Sequence, residues 1–86
     1  MKKADFVLKY LLVNKLLWPF CQALDLDYRY IHGVASKHYN ASLTIQRALS
    51  PVIPPTQWYE EANAEFCKMI KKDISTLFMH KTLKDI

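Results

Sequence analysis

The chain contains one glycine, Gly33. Hairpin turns and phosphate-cradling loops draw on glycine for positive φ and for close backbone approach. Hairpin-rich β folds and Gly-rich nucleotide-binding loops are therefore excluded. Cysteine is scarce too: Cys21 and Cys67 are the two present, and neither belongs to a C-x-x-C pair, so zinc is not signalled. Both sit in apolar helical contexts and are expected as reduced core thiols, since free cysteine packs as a small hydrophobe. Spacing alone leaves a disulfide between them open. No uncharged apolar run approaches the ~20 residues that a membrane span needs. The basic start, MKK, leads into a segment broken by Asp5, Lys9, Asn14 and Lys15, unlike the apolar region of a signal peptide. A cytoplasmic protein without a membrane partner is expected.

What is present suits a small folded domain. Apolar residues make up 51% of the 86 and charged residues only 23%, the reverse of the disordered signature. A single domain, residues 1–86, is expected, since typical domains run to ~100–150 residues. A chain this short buries roughly 60% of its unfolded surface, which favours either a tight core or help from a second copy. The net charge of +4 is unevenly spread. Residues 1–50 hold seven Lys/Arg against three Asp/Glu, and residues 51–86 hold five of each. Between Tyr28 and Ser50 there is no acid, while Arg29, Lys37, Arg47, His32 and His38 are all present. A basic surplus on one part of a small domain is the electrostatic footprint of a protein that meets a polyanion.

Hydrophobic spacing predicts an all-α fold of five helices. Phe6, Val7, Tyr10, Leu11, Val13, Leu16 and Leu17 follow the 3–4 period of an amphipathic helix over residues 4–17. Trp18-Pro19 interrupts it, and Pro19, welcome at a first helical position, opens a short helix over 19–24. Asp25-Leu26-Asp27 makes a turn, with Asp27 as N-cap of a third helix over 28–37. Residues 38–41 form a loop, and Ser42 caps a fourth helix over 43–49. Ser50-Pro51 and Pro54-Pro55 bracket a stiff connector. Thr56 is the cap candidate for a last, long helix over 56–81. Its Glu60, Glu61 and Glu65 lie toward the N-terminus and its lysines toward the C-terminus, in keeping with the helix macrodipole.

A short helix, a tight turn and a second short helix have the spacing of a helix-turn-helix, whose second helix enters the DNA major groove. The stretch LWPFCQALDLDYRYIHGVASKHYNASLTIQRALS resembles the Cro/CI-type (XRE-like) family, the likeness covering roughly residues 6–59. Cys21 and Asp25 stand at that family's small residue and turn glycine, with Leu24 and Leu26 at the flanking apolar sites. Ile31 and Val34 match the two buried aliphatics of its recognition helix. Ser42, Leu43, Arg47, Ala48 and Leu49 echo the helix that follows, with Gln46 off-pattern, and PPTQWY resembles its closing apolar segment. Aspartate in place of glycine requires a left-handed residue at 25, which Asp tolerates better than most. Gly33 falls inside the expected recognition helix at a cost of about 1 kcal/mol against Ala. On an exposed side it would admit a partner backbone closely.

The resemblance implies a sequence-specific transcriptional regulator, a repressor acting as a homodimer on double-stranded DNA, of a kind often encoded by phages, prophages or plasmids. Residues 1–55 would form the DNA-binding part and 56–86 the dimerisation helix. With Ile31 and Val34 inward, Tyr28, Arg29, His32, Gly33 and Ser36 are left on the outer face, with Lys37 and His38 at its end. Arg29 can make two parallel hydrogen bonds to guanine O6 and N7. Tyr28, His32 and Ser36 suit base edges or phosphates, and Lys37, His38 and Arg47 suit phosphates. On the terminal helix, Phe66, Ile70, Ile74, Leu77 and Phe78 recur at helical spacing over more surface than a small core is expected to hide, which marks them as a two-fold interface. No enzyme, metal or cofactor is expected. His32 and His38 lack the i, i+4 spacing of a helical metal pair, and no serine lies in a nucleophile-elbow context. The alternative is a small helical inhibitor or adaptor that blocks a larger host or phage protein without touching DNA, using Trp18, Trp58, Tyr28, Tyr30 and Tyr39 as anchors. An antitoxin would combine both activities.

Overall fold

The computed structural model describes the backbone of residues 1–85 and the side chains of residues 1–76. Five α-helices and no strand occur among them, as the hydrophobic period requires. Helix α1, Lys3–Val13, buries Ala4, Val7, Leu8 and Leu11, a single stripe at 3–4 spacing. It ends four residues earlier than its apolar pattern suggests. Lys15 turns left-handed at φ 59°, and the amides of Lys15 and Leu16 close back onto the carbonyls of Leu12 and Leu11. That pair of bonds is a Schellman terminus, which redirects the chain once the last carbonyls are satisfied. Leu16 and Leu17 thereby leave α1 and begin the next helix.

Helix α2, Leu17–Leu24, buries Leu17, Phe20 and Cys21. Pro19 is its third residue rather than its first, a position whose absent amide has no partner within the helix in any case. Helix α3, Tyr28–Ala35, buries Ile31, Val34 and Ala35. It is two residues shorter than expected, because Lys37 is left-handed at φ 69° and the amides of Lys37 and His38 close onto Val34 and Gly33. Helix α4, Leu43–Leu49, begins as expected on Ser42, whose Oγ accepts from the Ile45 amide at 3.3 Å. Its last residue, Leu49, is fully buried with Ile53 of the connector.

The last helix departs most from expectation. Pro55–Trp58 forms a 3₁₀ turn, and α5 spans Ala64–Asp85, starting eight residues after Thr56. Its cap is Asn63, whose Oδ1 accepts from the Phe66 amide at 2.8 Å. Residues 60–62 are held instead by the start of the chain. Lys2 and Glu61 form an antiparallel bridge, the Lys3 amide donates to the Glu60 carbonyl and the Ala62 amide to that of Met1. Backbone groups committed there cannot propagate a helix. Helix α1 is central, touching α2, α3, α5 and the 3₁₀ turn. Phe66 packs edge-on against Phe6 of α1, with ring centroids 6.3 Å apart. Phe66 and Ile74 are thus buried within one chain, and Ile70 packs against the same core. For Phe66 and Ile74 this corrects the expectation of an interface, while Ile70 stays partly exposed. A helix starting at Ala64 presents a narrower apolar stripe than one starting at Thr56, and α1 covers it. The side chains of Leu77 and Phe78 lie outside the described residues.

Candidate nucleic-acid interface

Helices α2 and α3 pack on each other across the turn Asp25-Leu26-Asp27. Asp25 is left-handed (φ 54°, ψ 50°), as its place in the turn demands. The Leu26 amide reaches the Cys21 carbonyl at 2.9 Å and the Asp25 amide reaches Gln22 at 3.3 Å, a second Schellman terminus. Asp27 then caps α3, its Oδ1 accepting from the Arg29 amide at 3.0 Å. The two ends of the turn are therefore both hydrogen-bonded, which fixes the direction in which α3 leaves it. Cys21, packed beneath this turn, is a buried free thiol. Burial, with the Asp27 carboxylate adding to it, pushes its pKa up to about 11, so it is no nucleophile at neutral pH.

The outer face of α3 divides into two halves. Its N-terminal half carries Tyr28, Arg29 and His32. The Tyr28 ring meets Trp18 of α2 edge-on at 5.1 Å and His32 at 5.6 Å, forming a row of three rings that crosses from α2 to α3. Arg29 is exposed beside this row, and no carboxylate pairs with its guanidinium among the described residues. His38 and Arg47 are exposed as well, the latter on the last turn of α4.

The C-terminal half differs from expectation at three residues. Gly33 is buried, not exposed: the loop after α3 folds back and lays the Tyr39 ring over it. Ser36 is half-buried and its hydroxyl donates to the His32 carbonyl at 2.7 Å, so it caps its own helix instead of facing outward. Lys37 pairs with Asp5 of α1 at 2.6 Å, and its charge is met within the chain. Nothing in the spacing of Asp5 and Lys37 signals that contact. The covering role of Tyr39 is equally illegible, although a glycine inside a helix does mark a position that something approaches closely. Tyr39 also stacks on Tyr30, with centroids 5.5 Å apart and planes at 26°.

No three His, Cys, Asp or Glu among the described residues gather into a metal-binding group, and no described helix is long and apolar enough to cross a membrane. Comparison with protein-family models, with curated proteins and with solved structures gives no match for this chain. The described residues thus form an all-α fold with an outward-facing helix pair whose connecting turn is hydrogen-bonded at both ends.

Proposed function

We propose that the protein is a sequence-specific DNA-binding regulator that reads duplex DNA with the N-terminal half of α3 and represses by occupying a promoter. One observation carries the reading: Arg29 is exposed, and unpaired among the described residues, at the second position of a helix whose cap and preceding turn are both fixed by hydrogen bonds. Helix-turn-helix proteins contact base edges through this end of the recognition helix. A guanidinium held there is ready for the bidentate guanine contact. Tyr28 and His32 flank it, while His38 and Arg47 supply cations for phosphates. Gly33, Ser36 and Lys37, committed within the chain, take no part. Pairing of two copies on a two-fold operator belongs to the same proposal, without Phe66 and Ile74.

Selection from a randomised duplex library provides the test. The reading requires enrichment of a defined site, and Arg29→Ala should then weaken that site by about 1–3 kcal/mol while leaving the melting temperature in place. No enriched site, or equal affinity for variant and parent, overturns it.

A second reading has its own support. Trp18, Tyr39 and Tyr30 are 56%, 55% and 40% exposed, aromatic surface of the sort that anchors protein partners, and an inhibitor or adaptor would use it. Salt separates the two. Duplex binding weakens with a log–log slope of about −0.9 per neutralised phosphate, whereas an aromatic protein interface is far less sensitive.

A further inference from the structure

Trp18 is the second residue of α2 and Tyr28 the first of α3. Their rings meet edge-on at 5.1 Å, and the Tyr28 ring reaches His32 at 5.6 Å. Tyr28 is half-buried and packs against the core. Trp18 belongs neither to the core nor to the residues packed on it, and more than half of it stays in water. The apolar surface of that indole is therefore open to a partner. The row is also held in place before anything binds. The turn between α2 and α3 is closed by the Leu26 amide on the Cys21 carbonyl and by the Arg29 amide on Asp27, so the two ring-bearing helices are fixed against each other. On α3, Tyr28, Arg29 and His32 fall within about 100° of the helix circumference. Arg29 thus stands beside the row on the same outer face.

Duplex DNA offers such a row few partners. Phosphates and the amino and carbonyl edges of the bases are polar, and the apolar feature of the major-groove floor is the C5-methyl group of thymine. A guanidinium meets guanine O6 and N7, and aromatic carbon meets that methyl. The two ring spacings together cover about three base-pair steps at ~3.4 Å each, so both contacts fit within one short stretch of groove. Resting on the duplex reading of α3, we propose that Trp18 and Tyr28 seat the C5-methyl of a thymine lying within about three base pairs of the guanine that Arg29 reads. Trp18 is then a specificity-determining residue supplied by the helix before the recognition helix. Use of the same indole as a protein anchor would leave duplex affinity indifferent to the methyl group.

Deoxyuridine in place of thymidine removes the methyl and keeps every hydrogen-bonding group of the base. The experiment uses the full chain and the duplex site enriched from the randomised library. Arg29→Ala first identifies the guanine, as the position at which base preference relaxes. Each thymine within about three base pairs of it is then replaced singly by deoxyuridine, with affinity read by fluorescence anisotropy at fixed salt. At least one replacement should weaken binding of the parent by about fourfold, the loss of one buried methyl group. Trp18→Ala should bind the thymine and deoxyuridine duplexes equally. Trp18→Gln serves the same comparison if the alanine variant melts early. A C·G pair at that position should bind the parent more tightly as 5-methylcytosine than as cytosine, because its methyl occupies the same place in the groove. An enriched, Arg29-dependent site with no thymine in that window, or whose thymines there all tolerate deoxyuridine, overturns the assignment and leaves the duplex reading standing. So does a methyl effect that survives in both Trp18 variants. Absence of any enriched site overturns both.

Discussion

The Tyr39 ring fills the space that a Cβ on Gly33 would occupy: a side chain there would overlap ring atoms Cδ2 and Cε2. The same carbonyl, that of Gly33, accepts from the amides of His38 at 2.8 Å and Tyr39 at 3.2 Å. The one glycine of the chain therefore serves close approach, not a left-handed turn. Two opposed effects meet at Gly33→Ala. Helix propensity favours alanine by about 1 kcal/mol, while displacing Tyr39 forfeits its stacking on Tyr30, about 0.5–1.5 kcal/mol, and strains the loop. Gly33→Ala should be neutral or destabilising by about 1 kcal/mol in the parent, and stabilising by about 1 kcal/mol in a Tyr39→Ala background. Chemical denaturation of the four proteins of that cycle gives the coupling. Additive changes would mean that the ring does not rest on Gly33.

Because glycine is spent there, three helices end on left-handed residues of other kinds, Lys15, Asp25 and Lys37. Such a residue carries roughly 1–2 kcal/mol of strain, offset in part by the roughly 0.5–1 kcal/mol of extra chain entropy that glycine loses. Lys15→Gly should accordingly stabilise by about 0.5–1 kcal/mol. Asp25→Gly should gain less, because Asp adopts this conformation more readily. Lys37 is a poorer site for the change, since its side chain also pairs with Asp5. Thermal melts decide the sign. A loss of about 1 kcal/mol at Asp25 would mean a helical residue there and no turn of the helix-turn-helix kind.

How much of this was legible follows the range of the interactions involved. Local signals carried: the Asp27 and Ser42 caps lie where the sequence places them, and the inward set Ile31 and Val34 follows from the helical period. Contacts between distant segments did not. Lys37 meets Asp5 across 32 positions and residues 60–62 meet residues 1–3, so one expected phosphate contact vanished and α5 began late. On the candidate DNA face, Arg29 survives because its exposure depends only on its angle around α3. Gly33 was lost to the loop that folds back on it, and Ser36 to a hydrogen bond within its own helix.

The two cysteines should differ sharply toward thiol reagents. Cys21 is fully buried with its pKa raised to about 11, so almost no thiolate exists at neutral pH. Cys67 is half-buried on α5. A chromogenic disulfide reagent should titrate at most one thiol in the native protein, Cys67, and both in denaturant. Labelling of Cys21 at a comparable native rate would show that the turn above it opens readily.

Glu61 ties the start of the chain to the segment before α5. Its carboxylate is paired with Lys2 Nζ at 2.8 Å and with the Met1 ammonium at 3.0 Å. The Lys2 hydrogen bond foremost, then that of the ammonium, lowers its pKa from 4.5 to about 2. A depressed folded-state pKa means that the unfolded chain binds the proton first. The stabilisation is therefore complete above pH ~4.5 and is lost progressively as pH falls toward about 2. Melting curves of parent and Glu61→Gln should differ at neutral pH and converge by the acid end of that window. The gap should also narrow with added salt, since these groups are exposed. A gap that persists unchanged at pH 2 would assign the effect to packing instead of charge.

Phe66 separates a core role for α5 from an interface role. Its ring is 6% exposed, set edge-on to Phe6 and beneath the Lys3 ammonium, whose Nζ lies 5.3 Å from the ring centroid. Both contacts lie within one chain. Truncation of a buried phenylalanine costs about 3–5 kcal/mol, a large share of the ~5–15 kcal/mol that holds a domain folded. The milder Phe66→Leu, which keeps most of the volume, should cost less than about 1.5 kcal/mol and remain measurable. Stability conferred by a second copy grows with protein concentration through mass action, whereas stability within one chain does not. The urea midpoints of the parent and of Phe66→Leu should therefore differ by the same interval at two protein concentrations a decade apart. An interval that shrinks at the higher concentration, while the parent midpoint itself rises, would return Phe66 to an interface between copies.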